Sequence, residues 1–452
     1  MASESQGDAQ KVRAIEDCFD ALVERARTST TGSERFALSL QAEISDFVRM
    51  NRGAVRQAGT VSQTELTCTL VDGARSVSVG LGLSGRADVD RRALDDAIVR
   101  ARSALTVVPE DPHMLVCDEE GALRVVDDAE ATSAEDIVGA LLDEAQGLDL
   151  VGVLARGPVV RAVATSSGRR GFYARSSYSL DWSVVTPSGR AVKQGLAGTS
   201  LDRALLSRKV DEARALTDVL ERPPREIARG EVRAFLAPEA VAEILDLMSW
   251  GGFGQRAIAT KTSPLARLAE GATRLASGVS LVEHIGSGRA PPFHSQGFAC
   301  ARKVSLVDDG AFAGALVSPR SAREYGVPHT GHDAQEAPIA LELAAGDVED
   351  PMRALGDGVW LSNLWYLNYS DRRAARVTGM TRFACLVVED GRPVAPLAPM
   401  RFDDSFFRIF GERLRGLTST RALLLSTSTY ERRAIESKLV PGALVDGLRF
   451  TL

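Results

Sequence analysis

The segment Pro328-His329-Thr330-Gly331-His332-Asp333 gathers the densest set of chemically useful side chains in this 452-residue chain. Two imidazoles three residues apart beside a carboxylate can ligate a metal ion or position a peptide carbonyl. Pro328 and Gly331 put them on a loop, where side chains need not converge. Metal binding, contact with a substrate or partner, and an ordinary polar turn are therefore all open readings. His294, in Pro291-Pro292-Phe293-His294, reads as a loop residue, and His284, after Leu281-Val282-Glu283, as the end of a strand.

Other chemistries are excluded by what is missing. A helical zinc-peptidase site needs two histidines on one face and a glutamate beside the first. None of the five histidines is followed by Glu: His113 precedes Met, His284 Ile, His294 Ser, His329 Thr and His332 Asp. No G-x-S-x-G nucleophile elbow and no G-x-x-x-x-G-K-[ST] phosphate loop occurs. Gly80-Leu81-Gly82-Leu83-Ser84-Gly85 does match G-x-G-x-x-G after a strand. A dinucleotide fold would need its third glycine in the opening turn of the helix and a parallel strand beyond. Here the helix is expected only from about Asp90, and the preceding strand reads as one arm of an antiparallel hairpin.

With 44% hydrophobic and 25% charged residues, the chain is long enough for two or three domains with sizeable cores. A net charge of −6 without basic runs gives no footprint for nucleic acid or an anionic membrane. Arg outnumbers Lys by 48 to 6, a skew that fits GC-rich coding better than an arginine-based function. The five cysteines, Cys18, Cys68, Cys117, Cys300 and Cys385, are scattered and odd in number, the usage of reduced thiols in the cytosol. Met1 to Lys11 is polar, and no run of 18 apolar residues occurs. A soluble, cytoplasmic protein is expected.

Val12, Ile15, Phe19, Leu22, Val23 and Ala26 recur at helical spacing, and Phe36, Leu40, Ile44 and Phe47 suggest a second helix. Thr60 to Val71, turning at Asp72-Gly73 into Ser76 to Gly80, reads as a hairpin. Helices follow over Asp90 to Leu105 and from Ser133, a plausible N-cap, to Gly147. Four strand-like runs then point to an antiparallel sheet: Val151 to Leu154, Val159 to Ala164, Tyr173 to Val185 and Ala191 to Gly195.

Glu221-Arg222-Pro223-Pro224-Arg225 cannot continue a helix and marks the expected boundary between an N-terminal α+β domain, 1–222, and a C-terminal domain, 226–452. Beyond it come a strand over Val232 to Leu236 and a helix from Pro238. Short strands paired about Asp309-Gly310 and Asp390-Gly391 then suggest a mostly antiparallel, barrel-like sheet. In Val359 to Tyr369, Trp360, Trp365, Tyr366 and Tyr369 invite either packing or a contact surface. Phe406, Phe407 and Phe410 read as core.

Taken in order, these segments resemble the TldD/PmbA family, in particular its TldE (PmbA) branch. The likeness is carried by Arg75-Ser76-Val77-Ser78-Val79-Gly80, the helix around Glu239 to Leu247 followed by Gly251-Gly252, and Gln296-Gly297-Phe298. It continues through Asp309-Gly310-Ala311-Phe312-Ala313-Gly314-Ala315-Leu316, Ser321 to Gly326 with Thr330-Gly331, and Ser370 to Gly391. It covers most of the chain through degenerate motifs that persuade in combination. In the TldD branch, the resemblance implies, an H-E-x-x-x-H helix carries the zinc. On that register Asp246 and Leu247 stand for His-Glu and Gly251 for the second His. The departures are His332-Asp333, where an Asn commonly follows Thr-Gly, and a loosely matched Asn363 to Arg376.

The resemblance implies a non-catalytic subunit with no catalytic residue and no metal or cofactor of its own. It would pair with a zinc-bearing TldD-like chain and shape a chamber for unfolded or precursor peptides, with neither nucleic acid nor membrane as partner. His329, Thr330, Gly331, His332 and Asp333 are its candidate substrate-binding residues. A self-sufficient hydrolase built on His329 and His332, or a non-enzymatic peptide-binding homodimer, are the competing readings.

Overall fold

The computed structural model describes residues 2–127 and 131–451, so that Met1 and Leu452, the ends of the expected domains, lie outside the described residues. The Ala2–Ser29 helix buries Val12, Phe19, Leu22, Val23 and Ala26, the face its spacing predicts. The second helix does not form. Arg35–Asn51 is a strand of 17 residues, paired antiparallel with Ala54–Asp72 on one side and Asp149–Thr165 on the other. Phe36, Leu40 and Ile44 fit a helical period, but Phe36, Leu38, Leu40, Ala42 and Ile44 also alternate. That alternation wins because strands pair with both edges while the alternating face is buried.

The hairpin turns at Asp72-Gly73 as expected, and its second arm is Arg75–Gly82. The runs expected as two strands over Val151 to Ala164 form one, Asp149–Thr165, which pairs with Arg169–Val185; Ala191–Gly198 joins that strand's other side. These strands, with Gly121–Val126, make a seven-stranded sheet. Ser133 caps the Ala134–Glu144 helix by accepting the Asp136 amide. A further helix, Arg203–Leu220, leads to the proline-rich connection. Even-numbered residues of the Arg35–Asn51 strand pack under helices: Leu38 and Leu40 share a core with Phe19 and Leu94, and Val48 and Met50 share one with Ile137 and Leu206.

The G-x-G-x-x-G loop is closed from within. The amides of Ser84 and Gly85 and the Ser84 hydroxyl all donate to the buried Asp90 carboxylate, at 2.8 to 3.0 Å. The Ala87–Leu105 helix follows an antiparallel strand, so no phosphate cradle is available.

After Arg225, which pairs briefly with the Leu397 region, a 13-stranded sheet begins. Its centre is the long Ser437–Phe450 strand, flanked by Ala340–Leu343 in parallel and by Gly230–Leu236 and Leu414–Leu425 antiparallel. The barrel-like closure expected from the strand pattern does not occur: the main strand path stays open, ending at Ala311–Phe312 and Arg392–Pro396. The architecture is α+β with antiparallel pairing dominant. The Pro238–Ser249 helix packs on this sheet through Ala240, Val241, Ile244, Leu245 and Met248, all at most 1% exposed, and Phe406, Phe407 and Phe410 join the same core.

Candidate functional site

Two walls of different origin face each other across a cavity of about 570 Å3. The first sheet contributes Ser179, Asp181, Lys193 and Gln194. The second half contributes the Pro238–Ser249 helix, the end of the Leu414–Leu425 strand, Ser426 to Ser428, Glu436 and Lys438. A neighbouring cavity of about 490 Å3, lined by Met50, Trp182 and Arg433 among others, shares Ser179, Asp181, Ser426 and Thr427 with it. The two together form a cleft between the halves of the chain.

The helix presents Glu239, Glu243 and Asp246 to this cleft, spaced i, i+4 and i+7 along one face, while its opposite face is apolar. Glu243 accepts the Leu364 amide at 2.5 Å and the Asn363 side-chain amide at 3.3 Å. Burial nevertheless pushes its pKa up to about 7 against those two bonds, so it exchanges a proton near neutrality. Asp246 pairs with Lys438, Lys193 with Asp181 at 2.8 Å, and Lys209 stands 3.9 Å from Glu239. Glu243 is the residue that sequence reasoning passed over. Its signal was the row of three acids on one face of an otherwise apolar helix.

Of the positions that stand for the metal helix, Asp246 lines the cleft, Leu247 is buried at 8% exposure, and Gly251 lies beyond the helix, which ends at Ser249. Gly251 has φ +73°, a left-handed conformation that stops the helix. Residues 246 and 251 therefore do not share a helical face. Among the described residues no group of three or more His, Cys, Asp or Glu side chains is placed to hold a metal ion.

The His329–Asp333 loop points elsewhere. His332 is 2% exposed; its Nδ1 lies 2.8 Å from the Thr330 hydroxyl and its Nε2 3.5 Å from the buried Glu283 carboxylate. Glu283 also accepts the amides of Ile339 and Ala340. Thr330 is tied to Val317, and Asp333 accepts the Gln335 amide in a local turn. Gly331, at φ +78°, is pressed against the Ala299 carbonyl, 2.4 Å from where a Cβ would stand. His329 meets the Phe298 ring edge-on at 5.2 Å, and His294 flanks the same ring at 6.1 Å. Burial, reinforced by the neighbouring histidines and opposed by Asp333, drives His294 down to about 4. His294 and His329 thus flank Phe298, and none of the five residues proposed for the substrate lines the cleft.

Residues 229–452 match the model of the PmbA/TldA metallopeptidase C-terminal domain, and through this half the chain belongs to the TldD/PmbA family. Its fold is that of the TldE crystal structure from Thermococcus kodakarensis, with a TM-score of 0.76 and 14% identity over 96% of this chain and all of that one. A candidate modulator of DNA gyrase from Thermotoga maritima superposes with a TM-score of 0.74 at 13% identity, over 97% of this chain and 100% of that one. A similarly described protein from Bacteroides thetaiotaomicron gives 0.68 at 13%, over 97% and 98%. No curated protein matches the sequence. Among the described residues no helix is long and apolar enough to cross a membrane.

Proposed function

We propose that this chain is the metal-free, TldE-like member of a two-subunit peptidase of the TldD/PmbA type. It pairs with a zinc-bearing chain that carries H-E-x-x-x-H and supplies the cleft that admits unfolded or precursor peptides. The observation that carries this reading is the Pro238–Ser249 helix: its cleft face holds Glu239, Glu243 and Asp246, and it stops short of Gly251. A carboxylate beside a lysine on a helix with no imidazole lacks the donor set of a peptidase zinc. A chamber wall needs no metal; it needs an elongated space that keeps bulk water and folded proteins out. The five cysteines are free, consistent with work in the cytoplasm.

The test is a gentle affinity purification of the tagged chain from its host, with the retained proteins sequenced and zinc measured in the same eluate. A stoichiometric H-E-x-x-x-H partner carrying the zinc is the expected result. A lone, metal-free homodimer would replace this reading with a peptide-binding module. Zinc in the lone chain would return attention to His329 and His332.

A further inference from the structure

Beside the cleft lies a recess of about 30 Å3 bordered by Arg175, Arg289 and Arg433 together with Tyr173, Ser177 and Ser179. It shares Ser179, Leu425 and Ser426 with the larger cavity. A free volume of that size takes about two water-sized groups, the requirement of the two oxygens of one carboxylate.

Each guanidinium has a carboxylate acting on it, but Arg175 and Arg289 leave a buried donor unspent. Arg433 is 6% exposed and gives its terminal nitrogens to the Gly157 carbonyl and to the Ser177 carbonyl and hydroxyl, each at 3.0 Å. These are neutral acceptors; the buried Glu43 carboxylate acts on Arg433 through charge and accepts its backbone amide at 3.1 Å, but makes no direct contact with the guanidinium. Burial is the main reason its pKa falls to about 10. Arg289 holds Glu342 at 2.5 Å with one nitrogen, but its buried Nε has no hydrogen-bond partner among the described residues. Arg175 stands 3.4 Å from Asp127 and 3.5 Å from both the Gly288 carbonyl and the Thr199 hydroxyl, and it bonds the Tyr173 hydroxyl, while its buried Nε makes no hydrogen bond among the described residues. Buried donors in this condition are rare, and a planar guanidinium fork is matched to a carboxylate.

We propose that this recess binds the free C-terminal carboxylate of a peptide lying in the cleft, a step that rests on the peptide reading given above. The cleft then has a polarity. Its helix wall offers Glu239 and Glu243, and its recess offers arginine, so an extended peptide is held with its carboxylate at the arginines. The substrate class is a short peptide or fragment with a free carboxyl end that reaches the recess, in preference to an internal stretch of a long chain.

The experiment compares two labelled short peptides, identical except for a C-terminal carboxylate or amide, by fluorescence anisotropy against the purified chain together with whatever subunit copurifies. Losing charge-assisted hydrogen bonds makes the amide about tenfold weaker or worse. Arg289→Gln removes the difference between the two peptides, Arg289→Lys keeps part of it, and Arg175→Gln serves if the first variant fails to fold. A merely structural arginine would lower both affinities together. Equal affinity for acid and amide, or no binding of either, overturns the proposal, as does a recess that takes acetate while both peptides bind alike. Equal affinity with the zinc-bearing partner still present sinks the recess alone; absence of the partner sinks the pairing instead.

Discussion

Lys438, from the central strand of the second sheet, holds the Asp246 carboxylate, so the acid at the first metal-helix position already has its cation. Asp246 is 62% exposed in its side chain, and such a surface pair contributes at most about 1 kcal/mol. Asp246→Ala should leave peptide cleavage by the assembled complex within about twofold of wild type, the effect of an ordinary surface substitution. On the pairing proposed above, replacing the histidine pair of the zinc-bearing chain should abolish it. Cleavage assays on both complexes decide: if Asp246→Ala alone removed activity from a folded protein, the metal-free role would be wrong.

Glu243 makes stability depend on pH. Its folded pKa of about 7 lies above the ordinary 4.5, so the folded state binds the proton more tightly than the unfolded chain. The resulting contribution is full below the unfolded pKa and is lost as pH rises from about 4.5 to about 7. Glu243→Gln keeps an oxygen for the Leu364 amide and carries no charge. It should flatten urea midpoints between about pH 5 and 8 and stabilise the protein at the upper end by on the order of 2 kcal/mol. An unchanged slope would mean that Glu243 is already well solvated.

His332 sits between Thr330 and Glu283 with almost no exposure, so its removal acts on the fold. His332→Ala should cost about 2–4 kcal/mol in urea unfolding, because a buried carboxylate loses a neighbour. His329→Ala, which removes only a ring contact, should cost about 1 kcal/mol. Neither should change the zinc content of the complex. Metal lost in proportion to either substitution, with the fold intact, would revive a site on this loop.

Arg433 also fastens the 426–436 segment, which borders the cleft, to the first sheet through Gly157 and Ser177, and Arg432 assists by pairing with Glu65 and Gln41. Arg433→Met should free the segment and expose the chain beside Tyr430, already 85% exposed, to faster chymotryptic cleavage. Cleavage at the wild-type rate would show that Arg432 alone suffices.

Local chemistry in the sequence foretold local structure. Asp72-Gly73 made its hairpin, Ser133 its cap, and the Val12 to Ala26 stripe its buried face. The strand at Arg35–Asn51 reads as a helix because Phe36, Leu40 and Ile44 satisfy both periods, and only pairing with strands as distant as Asp149–Thr165 decides between them. The same distance hid the cleft. Arg433 meets Gly157 and Ser177 from more than 250 positions away, and no motif marks a cavity assembled from the two halves of the chain. The histidine loop attracted notice by composition, yet composition does not say which way a side chain turns.

The left-handed turn at Gly251 also bears on how this chain could change. Two histidines and a glutamate could be written at positions 246, 247 and 251 by three substitutions. The last imidazole would still hang from a turn rather than a helix, and the glutamate would replace a leucine that the core has buried. A metal site of that kind would require the helix to be lengthened as well as three side chains changed. The backbone at Gly251 thus stands against a metal on this helix independently of the side chains it carries.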